Sequence, residues 1–354
     1  MGIVTDGDVT GLELARTYFT DVVDPILSTR FPGLPFAAGR LGTGSDVLGL
    51  DDAVSRDHDW GLRLSLFVPE NAVGDVAETI ERALPDRFRG HPTRFAFTGQ
   101  ATARNHVDVG SVSAFLESRL GFDPRRGVEI RDWLSLSGQA ALEVVAGPVF
   151  VDRSGDLSTA RRALEWYPDD VWRYLLACDW ARVAQELPLM GRAADVGDET
   201  GSRVIAARVA HIVMHLAFLL ERRWPPYAKW LGTVFRTLPS GARLADPVAG
   251  IVGGTTLADR QNAAADALET LLDQQNGLGL TDVRRATVPF WDRPYLHPDP
   301  EIVRQLVAPI ADPEVSALRP GPGSVEQVTD NVDLLMDPHA RRALASWLST
   351  RPRP

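Results

Sequence analysis

The hydrophobic pattern of this chain changes near residue 130, and this change constrains the fold more than any single motif does. Before it, short alternating runs of apolar and polar residues, typical of strands, are mixed with helical stripes. Beyond Asp132, apolar residues recur at helical spacing over long stretches, chiefly 160–165, 171–187, 201–223 and 257–276. The sequence therefore predicts an α+β protein, with a small mixed-sheet domain at residues 1–130 and a mainly helical domain with a helical tail at 131–354.

Local patterns predict individual elements around the motifs discussed below. Apolar residues at helical spacing from Leu12 to Val23 predict an opening helix that ends at Pro25. Residues 57–68 predict one long strand, with alternation clearest over Leu62 to Leu66. In the second domain, the stretch 246–254 is rich in glycine and proline and predicts a break between helices.

The composition is that of an ordinary globular protein, with 44% hydrophobic and 24% charged residues. The formal net charge of −10 makes extended nucleic acid a poor default partner, because like charges repel unless basic groups cluster.

The single cysteine, Cys178, cannot form an internal disulfide and is expected to be a small residue packed in the core. Seven of the nine tryptophans lie between Trp133 and Trp291, which predicts an aromatic core for the helical domain.

The sequence gives no indication of export or of a membrane partner. The first residues show no basic region followed by an apolar run, and the apolar stretch 209–220 is too short to span a bilayer. His211 and His215 interrupt that stretch at a spacing that can chelate zinc, but apolar residues lie between them, so we expect no metal there. We expect a cytoplasmic protein.

The informative segment is a glycine- and serine-rich turn, Gly42 to Gly49, followed by a pair of aspartates. Eleven residues separate Ser45 from Asp57, and Asp59 lies two positions further on. On a strand, residues two apart face the same side, so Asp57 and Asp59 form a diacid that suits Mg²⁺. A turn with free backbone N–H groups before a short helix can hold a phosphate, and Gly44 and Ser45 are the candidate nucleotide-binding residues.

A third carboxylate would complete a site for nucleoside triphosphate and magnesium. Asp108, in the short alternating segment 106–109, is placed to supply it. Three acids can hold two ions, one activating the attacking group and one stabilising the departing pyrophosphate.

Taken together, these residues resemble a known superfamily. Gly44-Ser45, the eleven-residue spacing, Asp57-x-Asp59 and a later strand acid are similar to the signature of DNA polymerase β-type nucleotidyltransferases. Over longer stretches, the chain also resembles the nucleotidyltransferase-like family labelled DUF4037. These stretches are 42–49, 55–61, 191–192, 197–198 and 224–231. The resemblance implies a nucleotidyltransferase-like catalytic domain at 1–130, with Asp57 and Asp59 as catalytic metal ligands and Asp108 as the third acid.

Lys229 is the only lysine beside 36 arginines. A site that keeps lysine in such a chain can need a compact ammonium, for instance against a triphosphate, and Lys229 is therefore a candidate nucleotide-binding residue. Chance retention beside the proline turn is the alternative. Its neighbours Tyr227 and Trp230 could stack a base, although aromatic residues more often pack the core.

The resulting hypothesis is a Mg²⁺-dependent, ATP- or other NTP-binding nucleotidyltransferase. It would move a nucleoside monophosphate to a hydroxyl or amine of an unidentified acceptor and release pyrophosphate. A cationic small molecule suits the acidic surface, whereas tRNA or a protein stays an alternative acceptor. The alternative function is a non-catalytic NTP-sensing or regulatory module with the same fold. The acceptor, the base preference and the oligomeric state are open at this point.

Overall fold

A computed structural model describes residues 10–50 and 60–349 of the chain. The contacts divide it into two units. The first comprises residues up to Val128 together with Ala140–Glu165, and the second comprises Glu129–Gln139 together with Trp166 onwards. Segments of the two units alternate along the chain, whereas the sequence predicts one boundary after residue 130. The division into a catalytic domain at residues 1–130 and a helical domain at 131–354 stays a prediction.

The first unit is built on a five-stranded mixed sheet with the order β5-β6-β2-β1-β7. Its strands β2 and β6 pair in parallel, and the other neighbours pair antiparallel. A separate small hairpin joins β3 to β4. The strands are β1 (Ala37–Gly39), β2 (Arg63–Phe67), β3 (Arg87–Phe88), β4 (His91–Pro92), β5 (Arg94–Phe95), β6 (Arg104–Gly110) and β7 (Val149–Asp152).

Helices cover the sheet of the first unit and bury its apolar face. Leu62, Leu64 and Leu66 alternate with polar residues along β2 and pack with Val76 and Ile80 of the amphipathic α3. The helices are α1 (Gly11–Tyr18), α2 (Asp24–Arg30), α3 (Val73–Ala83), α4 (Val112–Leu120), α6 (Gly138–Val145, in this unit from Ala140) and α7 (Asp156–Ala163), with short 3₁₀ helices at Asp46–Leu48, Glu70–Ala72 and Pro124–Arg126.

The second unit is helical, which confirms the predicted α+β class. Its two longest helices, α8 and α9, pack along each other, and α11 and α12 pack against α9. The elements are α5 (Ile130–Ser135), α8 (Asp169–Asp195), α9 (Glu199–Leu220), α10 (Ala228–Phe235), α11 (Gly241–Gly253), α12 (Leu257–Gly277), the hairpin β8 (Thr287–Pro289) and β9 (Leu296–Pro298), α13 (Pro300–Val307), α14 (Pro313–Ala317), α15 (Val325–Val328), α16 (Val332–Met336) and α17 (Pro338–Ser349).

An aromatic cluster packs the second unit, as the tryptophan distribution predicts. Tyr167 lies 4.6 Å from Trp224 and 5.5 Å from Trp133 between ring centroids, and Trp166 lies 4.9 Å from Trp224. Cys178 is buried, as predicted.

Among the described residues, α9 is long and apolar enough to cross a membrane. Of its most apolar stretch, 61% is buried within the protein, as in a core helix.

Three element predictions are wrong. Residues 19–23 form a π-helical turn and the chain continues into α2 through Pro25, because a proline in the first turn of a helix removes no intrahelical hydrogen bond. The strand β2 begins at Arg63, so residues 60–62 of the predicted strand lie outside it: Gly61, at φ +152°, bends the chain, and any Cβ there would strike the Phe95 ring. The first part of the predicted strand, residues 57–59, lies outside the described residues. The stretch 246–254 lies mostly inside α11, which tolerates Pro247.

A buried charged network holds the C-terminal segment of the second unit. His215 of α9 contacts Asp179 of α8 through Nδ1 at 2.5 Å and Glu326 of α15 through Nε2 at 3.1 Å. Glu326 also accepts a hydrogen bond from the backbone N–H of Gly138 at 2.5 Å, and Gln327 donates to Asp179 at 2.7 Å. Burial alone would lower the pKa of His215, but Asp179 and Glu326 outweigh it and raise the pKa to about 10.

This network predicts a pH-dependent stability. Because the pKa of His215 is about 10 in the folded protein and about 6.5 when unfolded, its stabilisation is complete below pH 6.5 and is lost as the pH rises to 10. We expect the free energy of unfolding to fall in that window by up to about 1.4 kcal/mol per pH unit. Urea denaturation followed by tryptophan fluorescence measures it, and a His215→Gln variant should lose this dependence while His339→Gln keeps it. An unchanged slope in His215→Gln would contradict the assignment.

Candidate nucleotide site

The turn after β1 is held by one buried arginine. The guanidinium of Arg40 makes a bidentate ion pair with Asp46, at 2.7 Å from Nε to Oδ2 and 2.9 Å from Nη2 to Oδ1. The same group donates to the carbonyl oxygens of Leu41 and Thr43, each at 2.7 Å. The Arg40 side chain is 3% exposed and that of Asp46 11%, so the pair acts in a poorly solvated place. Arg40 therefore closes residues 40–46 into a fixed turn.

Glycine is required inside this turn. Gly44 has φ +132°, and a Cβ there would lie 2.2 Å from Asp46 Oδ1 and 2.6 Å from Arg40 Nη2. Within the described part of the chain, the backbone N–H groups of Thr43, Gly44 and Ser45 donate to no protein acceptor. Thr43 is exposed, and Gly44 and Ser45 are half-buried. Consecutive amides of this kind suit an anion.

The helix that follows the turn is too short to have a strong dipole. It is a 3₁₀ helix of three residues, Asp46–Leu48, with Ser45 as its N-cap. A macrodipole needs several aligned peptide units, so this one adds little to anion binding. The amides of the turn, and not the helix, are what the structure offers a phosphate.

Asp108 lies on the sheet face against which the turn packs. In the parallel pairing of β2 and β6, Ser65 is opposite Asp108 and Arg63 is opposite His106. Ser65 Oγ lies 3.4 Å from both the backbone nitrogen and the carbonyl oxygen of Leu41, and Arg63 donates to the Thr43 carbonyl at 3.2 Å. Since residues two apart on a strand share a face, the turn and Asp108 belong to the same side of the sheet.

Charged and aromatic neighbours set the environment of Asp108. Its carboxylate is exposed and lies 3.4 Å from Arg104 Nη1 on the same strand. The neighbouring His106 is buried between the rings of Phe95 and Phe97, and its Nε2 lies 2.9 Å from the Phe95 carbonyl oxygen. Burial lowers the pKa of His106, and this effect outweighs the hydrogen bond to Phe95, which raises it. His106 is therefore a neutral packing residue at pH 7.

The remaining candidate residues are Asp57, Asp59 and Lys229. Asp57 and Asp59 fall outside the described residues. Lys229 belongs to the second unit, where it is exposed in the first turn of α10 with its Nζ 5.0 Å from the centroid of Trp230. Over residues 10–50 and 60–349, no group of three histidine, cysteine, aspartate or glutamate side chains could hold a metal ion. Asp108 alone does not make a metal site, so the predicted Mg²⁺ site would need Asp57 and Asp59.

Sequence reasoning missed Arg40, Arg63 and the role of Asp46. A signal was present, because Arg40 and Asp46 are opposite charges that flank a glycine-rich turn six residues apart. Their pairing depends on burial by the surrounding elements, which no local pattern shows. Arg63 reaches the turn only because β1 and β2 are neighbours in the sheet.

Comparison with known proteins agrees with the family resemblance over part of the chain. Residues 133–231 match the family described as "Domain of unknown function (DUF4037)", which confirms the resemblance for that segment. The segment contains Lys229 but none of Gly44, Ser45, Asp57, Asp59 or Asp108. No curated protein matches the chain in sequence.

One solved structure similar to this chain is a nucleotidyltransferase-like protein from Exiguobacterium sibiricum 255-15. It shares 14% sequence identity, with 72% of this chain and 74% of that chain covered, at a TM-score of 0.34. At that level the functional argument has to come from the residues of this chain.

The ion pair of the turn gives a stability prediction. Arg40→Met leaves the Asp46 carboxylate buried without its partner, which should lower the free energy of unfolding by about 3–5 kcal/mol. Removing both charges, in Arg40→Met with Asp46→Leu, should restore much of that loss. The control is Arg82→Met in the exposed pair with Glu78, expected to cost less than about 0.5 kcal/mol. Denaturation followed by circular dichroism measures the free energy of unfolding of these three variants and of the wild type. If Arg40→Met lowers it no more than Arg82→Met does, the bracing role of Arg40 is refuted.

Proposed function

We propose that this chain is a Mg²⁺-dependent nucleotidyltransferase that moves a nucleoside monophosphate from a nucleoside triphosphate to a hydroxyl or amine. The observation that carries the proposal is the turn braced by Arg40. Its amides, which have no protein acceptor within the described residues, lie on the same sheet face as Asp108. Phosphates are bound by such amides, and a carboxylate on the same sheet face is what a metal-assisted transfer needs beside them.

The roles follow from the chemistry of each group. The amides of Gly44 and Ser45 would hold the β and γ phosphates, and Arg63, which already contacts the turn, adds a positive charge beside them. Asp57, Asp59 and Asp108 would hold one or two Mg²⁺ ions. Bound there, Mg²⁺ supplies charge neutralisation on the triphosphate and activation of the acceptor.

The reaction would be an in-line displacement. The acceptor oxygen or nitrogen forms a bond to the α-phosphorus, the bond between that phosphorus and its bridging oxygen breaks, and pyrophosphate leaves. Asp108 is exposed and so is accessible to an acceptor, whose proton it would take as general base. A cationic small molecule such as an amino-sugar suits a chain with a net charge of −10.

The activity test uses each α-labelled NTP with Mg²⁺ and a panel of amino-sugars, small alcohols, tRNA and protein. It measures transfer of the α label to the acceptor and, in a separate assay, pyrophosphate release. Losing even an outer partner of a metal ligand costs roughly 10- to 100-fold, so Asp57→Asn and Asp108→Asn should each lower turnover by more than about 100-fold. Asp75→Asn, on the exposed side of α3, is the control and should leave it unchanged. Wild-type turnover in Asp57→Asn would refute the proposal, and NTP binding without pyrophosphate from any acceptor would identify a sensor.

The role of Lys229 has its own test. If its ammonium neutralises triphosphate charge, Lys229→Met should raise the KM for NTP about tenfold or more, because a charged hydrogen bond contributes about 1.5–3 kcal/mol. Lys229→Arg keeps the charge and should restore part of that loss. Arg243→Met, an exposed residue of α11, is the matched control. Steady-state kinetics measures these KM values. A wild-type KM in both Lys229→Met and Lys229→Arg would show that Lys229 does not bind the triphosphate.

A further inference from the structure

A second cavity lies wholly within the helical unit and contains none of the candidate nucleotide residues. Its volume is about 560 Å³, which falls in the range of small-molecule sites. It is formed by α8, α9, the loop at 319–323, α15 and α17. Its α8 and α9 walls belong to the segment that matches the DUF4037 family.

Three arginines from three different elements line this cavity. They are Arg182 of α8, Arg208 of α9 and Arg319 of the loop. Arg208 is paired with Glu186, and Arg182 donates to the backbone carbonyl of Gln327. Within the described residues, the Arg319 guanidinium has no hydrogen bond or ion pair. With Glu186 as the carboxylate on the wall, the local charge is about +2, opposite in sign to the whole chain.

The loop that carries Arg319 is held in place before any ligand arrives. Tyr174 donates its hydroxyl to the Arg319 carbonyl at 3.2 Å, and the Gly321 N–H donates to the Cys178 sulfur at 3.3 Å. Pro320 and Pro322 flank Gly321 and restrict the backbone. Because the backbone of this loop is already ordered, a ligand does not have to order it on binding. This lowers the entropic cost of binding.

The cavity also has an apolar side. Val328, 43% exposed, lies on it together with Leu348, Pro320 and Pro322. A free phosphate ion would leave this side and most of the volume unused. A local charge of about +2 matches a phosphate monoester, which guanidinium groups bind through paired hydrogen bonds.

We propose that this cavity binds an organic phosphate, with the phosphate on Arg182, Arg208 and Arg319 and the organic part against Val328 and Leu348. The cavity shares no lining residue with the proposed nucleotidyl-transfer site, so binding here can be tested separately from that activity. The ligand class is a dianionic phosphate monoester with an apolar group.

Isothermal titration with phenyl phosphate, in the presence of EDTA and at low salt, tests the proposal on the full chain. We expect a Kd below about 1 mM, with inorganic phosphate and benzyl alcohol each binding at least about tenfold more weakly. Added salt should weaken binding of phenyl phosphate. No binding at about 10 mM, or equal binding of either half-ligand, would overturn the proposal.

Variants locate the site. Arg319→Ala removes no side-chain hydrogen bond or ion pair of the described residues and should weaken phenyl phosphate binding about tenfold or more. Arg236→Ala, an exposed arginine of the same unit, should leave it unchanged. Val328→Ser should weaken phenyl phosphate but not inorganic phosphate. Asp108→Asn should bind normally, which separates this site from the nucleotide site. Binding that survives Arg319→Ala, or that is lost in Asp108→Asn, would overturn the assignment.

Discussion

The candidate nucleotide site depends on one buried ion pair. Arg40 and Asp46 close the turn after β1, and the planar guanidinium of Arg40 also binds the Leu41 and Thr43 carbonyl oxygens. With those carbonyls engaged, the amides of the turn are left for an external anion. The same turn packs on Ser65, which fixes its position over the sheet face that carries Asp108. The proposed anion binding would therefore depend on how this turn satisfies its own polar groups.

The helical unit uses a second buried polar network for a different purpose. His215, between Asp179 and Glu326, joins the consecutive helices α8 and α9 to α15, which lies 111 residues further along the chain at Glu326. Gln327, next to Glu326, donates to Asp179, so the network fixes the start of the C-terminal helices. The organic-phosphate cavity has α15 in its wall, so its shape depends on this network. Of the two histidines that lie four residues apart on α9, His215 thus has a structural role.

Prediction from sequence succeeded where a signal is local and failed where packing decides. The helical stripes at 171–187, 201–223 and 257–276 correspond to α8, α9 and α12. Pro25 and Pro247 failed as helix stops, because a proline in a first turn costs little and packing against α9 and α12 holds α11 together. At Gly61 the backbone leaves the strand that the alternation predicts, since the ring of Phe95 excludes any side chain there, and β2 begins only at Arg63.

The sequence by itself determined the α+β class, the glycine-serine turn and the helical half, because hydrophobic periodicity and glycine chemistry are properties of short segments. It also indicated the DUF4037 resemblance, which the match at 133–231 bears out. Only the tertiary structure decided that Arg40 braces the turn, that Asp108 shares its sheet face, and that Arg182, Arg208 and Arg319 line one cavity. Each of these depends on strand order or helix packing, which bring together residues whose spacing in the chain carries no such information.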